Sequence, residues 1–143
     1  MVTSDLMLCA QSVIRDAETS ALSVVNILED MVPEGLPLLV PRFMVYARLH
    51  RDIQKDPQTV ECKIRVSITD KTLIEHTINI DFQDKAANRL VVDISGLVIP
   101  TVGELETTLW QDSRLLNKYV VNVREPRKPK VAVQSVEETT KPA

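Results

Sequence analysis

The sequence is poor in aromatic residues, glycine, cysteine and histidine, and each shortage closes off a class of chemistry. Phe43, Tyr46, Phe82, Trp110 and Tyr119 are the whole aromatic set of a 143-residue chain. A core must therefore be built mainly from Val, Ile and Leu, and the run of stacking platforms that nucleic-acid binders use is missing. Gly35, Gly96 and Gly103 are the only glycines. They are too far apart for a loop that lets backbone amides close around a phosphate. Cys9, Cys62, His50 and His76 are the only thiol or imidazole ligands, and no two of them stand in a short paired spacing. No metal centre or cofactor is expected from them. A G-x-S-x-G nucleophile elbow is also absent.

Nor does the chain carry a long apolar run. The opening "MVTSDLMLCAQSV" has no basic stretch before an apolar one, and Asp5 interrupts it. It reads as neither a signal peptide nor a membrane span, and "LMLCA" lacks the small residues that precede a lipidated cysteine. A cytoplasmic location is the expectation, with both cysteines as thiols. The formal net charge is −3. Residues 126–143 contribute four basic and two acidic side chains, which leaves −5 on the preceding 125 residues. A negative body repels phosphate backbones, so neither a nucleic-acid nor a membrane partner is expected.

What is present is alternation. In "ECKIRVSITD", residues 61–70, Cys62, Ile64, Val66 and Ile68 alternate with charged and polar residues, as in a strand with one wet face. A turn around Asp70 and Lys71 returns the chain into residues 73–82, where Ile74, His76, Ile78, Ile80 and Phe82 share a side. The face these residues share makes His76 a candidate core histidine, whereas His50 reads as a solvated strand end. "RLVVDIS" at 89–95, "ELETTLWQ" at 104–111 and "KYVVNV" at 118–123 are further strands, with "QDSR" as a hairpin turn and "GLVIPTVG" as a connector. Asp93, a polar residue inside an apolar run, reads as a residue on the wet face or one bonded to a loop amide. Prolines at 33, 37 and 41 exclude a helix or central strand from 32 to 41, and a strand follows at 42–50.

The stretch "LMLCAQSVIRDAETSALSVVNIL" carries two readings. Val13, Ile14, Ala17, Ala21, Val24, Val25 and Leu28 fall at helical spacing with Ser12 as a cap, whereas "SVVNIL" is β-branched and "RDAETS" has turn composition. Among so many strands a hairpin is the more consistent choice, with residues 15–20 as its turn. Seven or eight short strands with turns every eight to twelve residues give an all-β, antiparallel β-sandwich over residues 1–125. Residues 126–143, rich in Pro, Lys and Thr, read as a disordered tail, with "KVAVQSV" able to add as a strand to a sheet edge.

The succession "LCAQSVIRDAETSALSVVNILEDM", "LPLLVPRFMVYARL" and "LVVDISGLVIPTVGELETTLW" resembles a family of small bacterial proteins known only as a domain of unknown function, over about residues 4–125. The resemblance implies an immunoglobulin-like β-sandwich, in which a cysteine-bearing strand matches 6–10, a turn matches 15–20 and the next strand matches 22–29. It carries no catalytic signature. Immunoglobulin domains place a core tryptophan between two paired cysteines, but Trp110 follows both Cys9 and Cys62, so that disulfide is not carried over.

Candidate sites are few. "LPLLVP" offers Leu36, Leu38, Leu39 and Val40 as a partner surface, with more apolar area than a plain connector needs. Glu104 and Glu106 share a side with Trp110, a face that could hold a small ligand or carbohydrate. Nucleophilic catalysis would fall to Cys9 or Ser12, with His76 as base for Cys9, but apolar neighbours would raise the Cys9 pKa and make that thiol inert. The sequence therefore points to a non-enzymatic module for protein interaction or self-association, with small-ligand binding as the alternative.

Overall fold

A computed structural model describes residues 1–126 as nine strands, with no helix among them. They are β1 (Thr3–Arg15), β2 (Leu22–Ile27), β3 (Asp30–Met31), β4 (Leu38–His50), β5 (Thr59–Ile68), β6 (Lys71–Asp81), β7 (Ala87–Ile99), β8 (Gly103–Gln111) and β9 (Arg114–Val123). A four-stranded sheet has the order β2-β1-β4-β7, and a five-stranded sheet the order β3-β9-β8-β5-β6. The expected all-β sandwich is present. The ninth strand is the two-residue β3, which pairs parallel with β9 while every other pair is antiparallel. The expected tail lies outside the described residues, apart from Pro126.

Alternation places the core. Cys62, Ile64, Val66 and Ile68 of β5 are all buried, as are Phe43, Val45, Ala47 and Leu49 of β4. Leu105, Thr107 and Leu109 of β8, with Leu90, Ile94, Leu97 and Ile99 of β7, complete the two inner faces. Side chains two apart on a strand share a face, so a one-residue slip in β5 would send Lys63 and Arg65 into this layer. Burial of Ile64 is worth about 1.5 to 3 kcal/mol. At one flank Arg114 Nη2 donates to the Val2 carbonyl at 2.6 Å and Asn117 Nδ2 to Ser4 Oγ at 3.2 Å. At the other, Asn88 Nδ2 donates to the Asp81 carbonyl at 2.6 Å. The two sheets are thus tied along both flanks.

The β5–β6 hairpin turns at Thr69 and Asp70, both at positive φ (46° and 63°), the backbone form that matches strand twist. One expectation fails on β6: His76 is exposed. It lies on an outermost strand, where the inward side is covered on one side only, so sharing a face with Ile78 and Ile80 does not bury it.

Residues 16–21 turn, and no helix spans them. Asp16 N–H donates to the Ala21 carbonyl at 2.8 Å, Ser20 N–H to the Asp16 carbonyl at 2.9 Å, and Asp16 Oδ1 accepts from Glu18 N–H at 2.8 Å. That side-chain bond mimics a backbone turn and holds the Asp16 carboxyl below its ordinary pKa. The β1–β4 ladder stops at Ala10↔Met44, beyond which β1 pairs with β2 alone among the described residues. Val13 N–H then donates to Met44 Sδ at 3.3 Å, and Arg89 Nη2 to the Ser20 carbonyl at 2.6 Å. The hairpin therefore lies across the outer face of its own sheet, which explains why the outward-facing Ala10 and Met44 are buried. Leaving β2, the chain crosses to the second sheet. Tyr119 Oη donates to the Leu28 carbonyl at 2.6 Å and Asn122 N–H to the Glu29 carbonyl at 2.9 Å.

Two stretches expected to break strands are strand. Residues 38–41 belong to β4 and residues 96–99 to β7, and they pair with each other: Leu38↔Ile99, Leu39↔Val98, Val40↔Leu97. The register then passes to Arg42↔Ser95, setting Pro41 opposite Gly96. Gly96 has φ 70°, and the inward side of both strands shifts there, from Phe43 to Val40 on one and from Ile94 to Leu97 on the other. The missing N–H of proline and the freedom of glycine meet in one bend that keeps both strands facing the core. Pro41 is tolerated because β1 has already left β4 at Met44, so this end of β4 has β7 on one side and no ladder on the other among the described residues. A methyl group at Gly96 would meet nothing within 4 Å, so Gly96→Ala isolates the backbone strain. It should cost about 1 to 2 kcal/mol in urea unfolding, with the slope unchanged.

Candidate functional site

The strand bend fixes the fate of "LPLLVP". It is not a projecting connector: Leu38, Leu39 and Val40 lie in β4, with Val40 buried in the core and Leu36 and Leu38 half-buried. Leu39 alone points fully outward, 59% exposed, opposite Val98 at 49%. The structure thus narrows four sequence candidates to one exposed leucine and supplies a valine that the sequence reading assigned to a connector. The exposed pair sits where β4 has no ladder on its second side among the described residues.

The acidic face resolves differently. Glu104 and Glu106 come together with Thr69 and Asp70 around an open cavity of about 260 Å³, and Trp110 is not part of it. Glu106 pairs with Lys118 Nζ at 3.3 Å. Trp110 stays on the outward face, but its Nε1–H donates to Thr108 Oγ1 at 2.8 Å and the Arg65 guanidinium lies 5.5 Å from its ring centroid. One ring face and the indole donor are therefore already engaged. Arg65 and Lys63 share the Glu75 carboxylate, at 3.0 and 3.2 Å, which holds Glu75 below its ordinary pKa.

Cys9 and His76 are not brought together: Cys9 is wholly buried on β1, and His76 is exposed on β6, at the edge of the other sheet. Both cysteines are free thiols. Burial pushes Cys9 up to about 12, although the adjacent Thr107 hydroxyl offsets part of the shift without closing a well-aligned hydrogen bond. Burial and then Asp112 push Cys62 up to about 11. Such thiols hold almost no thiolate at neutral pH.

The sequence reading missed the outward charges of β4. Arg48 meets Asp5 by two bonds, Nε to Oδ1 at 3.1 Å and Nη2 to Oδ2 at 2.6 Å, and His50 Nε2 lies 3.1 Å from Oδ1. The Arg48 guanidinium foremost holds the Asp5 carboxyl down at about 2. Beside this pair, Tyr46, Arg48, Lys85, Ala87, Asn88 and Arg89 line an open cavity of about 370 Å³. Alternation in residues 42–50 already placed Tyr46 and Arg48 outward; only the β4–β7 register brings Arg89 opposite Arg48. Arg51 was also missed. It is buried, donating from Nε to the Lys85 carbonyl at 2.8 Å with its guanidinium 5.5 Å from the Phe82 ring centroid, and so props the cavity's connector.

Two pH effects follow. The thiols ionise near 9.0 when unfolded but only at about 12 and 11 when folded, so the unfolded chain binds fewer protons in that range. Stability should fall as pH rises above 9.0, and the fall in a pH series of urea midpoints should be shallower in Cys9→Ala. Asp5 has the opposite sign. Its folded value is below 3.8, so the support it gives is intact above 3.8 and lost as pH drops towards 2. An NMR titration of the Asp5 carboxyl carbon should show a low midpoint that returns towards 3.8 in Arg48→Met.

No curated protein matches this chain. A family model described as "Family of unknown function (DUF6941)" matches residues 5–124, nearly all of the described sandwich. On that match the chain belongs to the DUF6941 family of unknown function.

Proposed function

We propose that this protein is a non-enzymatic, cytoplasmic interaction module on an immunoglobulin-like scaffold, docking a protein partner at the exposed end of the β4–β7 ribbon. The immunoglobulin-like reading is supported by strand adjacency. β1, β4 and β7 lie side by side in one sheet and β5, β8 and β9 in the other, as the A-B-E and C-F-G strands do. The core tryptophan and inter-sheet disulfide of antibody domains have no counterpart here, since Trp110 is on β8 and both cysteines are free. Free, buried thiols are in keeping with a reducing compartment.

The observation that carries the docking surface is the cross-strand pair Leu39↔Val98, exposed at a stretch of β4 that has one ladder neighbour among the described residues. Apolar side chains on a strand end with a free side offer both a hydrophobic contact and backbone partners. Pro41 limits the pairing edge by removing one donor, which favours a short contact over open-ended strand addition. A second copy of the chain is the first partner to test, because a symmetric dimer would bury the same pair from both sides.

Sedimentation over a concentration range should show reversible association that Leu39→Lys and Val98→Lys each weaken at least about tenfold, the cost of burying one unpaired charge at a contact. The surface would be rejected by a strictly monomeric wild-type chain, if that chain used as bait also retained no protein that the double lysine variant loses.

A further inference from the structure

The outer face of the four-stranded sheet ends in a group of three positive charges, of which the described residues neutralise one. Arg48 of β4 and Arg89 of β7 stand directly opposite each other in the ladder. Like charges in that position repel and destabilise the pair. Asp5 balances Arg48 with two charge-assisted bonds. Among the described residues nothing comparable balances Arg89, whose Nη2 donates to the neutral Ser20 carbonyl at 2.6 Å. Lys85, in the connector before β7, also has no carboxylate within salt-bridge distance among the described residues.

These three cations converge on the cavity of about 370 Å³ that also has Tyr46, Ala87 and Asn88 in its wall. That volume suits a small molecule. The concentration of charge stands out because the chain as a whole is negative, at −3. Asn88 is committed elsewhere, with its Nδ2 on the Asp81 carbonyl at 2.6 Å and its Oδ1 accepting the Arg89 N–H at 2.8 Å. It shapes the wall and steadies the backbone beneath Arg89. Arg89 and Lys85 keep the remaining donors of a planar guanidinium and an ammonium for a ligand.

We propose that this cavity binds a small molecule through a compact oxyanion, a phosphate or carboxylate group, held between Arg89 and Lys85 with Tyr46 beside the body of the ligand. A guanidinium fork matches two oxygens of either group, and the ammonium adds a point charge. The anion would also relieve the repulsion between Arg48 and Arg89, so binding should stabilise the folded chain. The site lies at the opposite end of the β4–β7 ladder from Leu39↔Val98 and does not depend on the docking surface.

The test uses the full chain, labelled with ¹⁵N, titrated separately with inorganic phosphate and with succinate, against chloride at matched ionic strength. Saturable shifts at the amides of residues 85–89 with either oxyanion, beyond those from chloride, are expected, and the stronger of the two arms identifies the group. Lys85→Gln should weaken that binding about tenfold, the effect of one charge-assisted contact. Arg89→Gln should weaken it further, but this change also releases the Ser20 carbonyl, so Lys85→Gln is the deciding variant. Shifts no larger than those from chloride, or saturable binding that Lys85→Gln leaves unchanged, would overturn the proposal.

Discussion

The whole molecule depends on one dry layer of aliphatic side chains that two sheets must face at once. Only Phe43 and Phe82 among its aromatic residues are fully buried, so the layer is filled by branched aliphatic residues of similar size, Leu49, Ile64, Ile94 and Leu109 among them. Such a layer has little tolerance for a strand that loses its inward side, because filling it depends on every second residue. The devices at the edges of the fold serve that requirement. The chain crosses from β2 to β3 under the Tyr119 hydroxyl, which lets one continuous segment contribute to both sheets. Asn88, Arg114 and Asn117 then close the flanks by bonding to backbone or hydroxyl oxygen across the layer.

The bend at Pro41 and Gly96 is another of these devices, and it places a residue without a donor opposite one at positive φ. It keeps Val40, Leu97 and Ile99 in the core, and it leaves Leu39 and Val98 facing outward. The same departure of β1 from β4 that makes room for the proline frees the β1–β2 hairpin to lie over the outer face, covering Met44 and Ala10. One geometric event therefore creates both the exposed ribbon end and the covered centre of this sheet.

The two outer faces differ in how their charges are settled. On the five-stranded sheet, Glu75 is shared by Lys63 and Arg65, and Glu106 is taken by Lys118. These are exposed pairs that contribute little stability each, and Glu104 and Asp70 beside them have no salt-bridge partner among the described residues. On the four-stranded sheet Asp5 serves Arg48, and Arg89 and Lys85 are left facing a cavity. The Leu39↔Val98 pair and the cavity of Arg89 and Lys85 thus lie on one side of the sandwich, towards opposite ends of a single ladder.

The sequence by itself determined which side of most strands faces inward. "ECKIRVSI" states its own inward set, residues 42–50 state theirs, and the polar cluster at 15–20 together with β-branched neighbours was enough to choose a turn over a helix. Alternation and turn chemistry are local, so they are legible residue by residue. Register was not. Pro41 and Gly96 each read as a strand breaker because a local rule considers one chain segment at a time, and only the facing segment shows that each accommodates the other. His76 shared an apolar side but lay on an edge, and strand order is not written in any one strand. The Leu39↔Val98 pair and the Arg48↔Arg89 pair are likewise products of the β4–β7 pairing, between residues about forty to sixty positions apart. Tertiary structure alone decided them, because a surface on a sheet is made by neighbours across strands, and the sequence orders residues only along them.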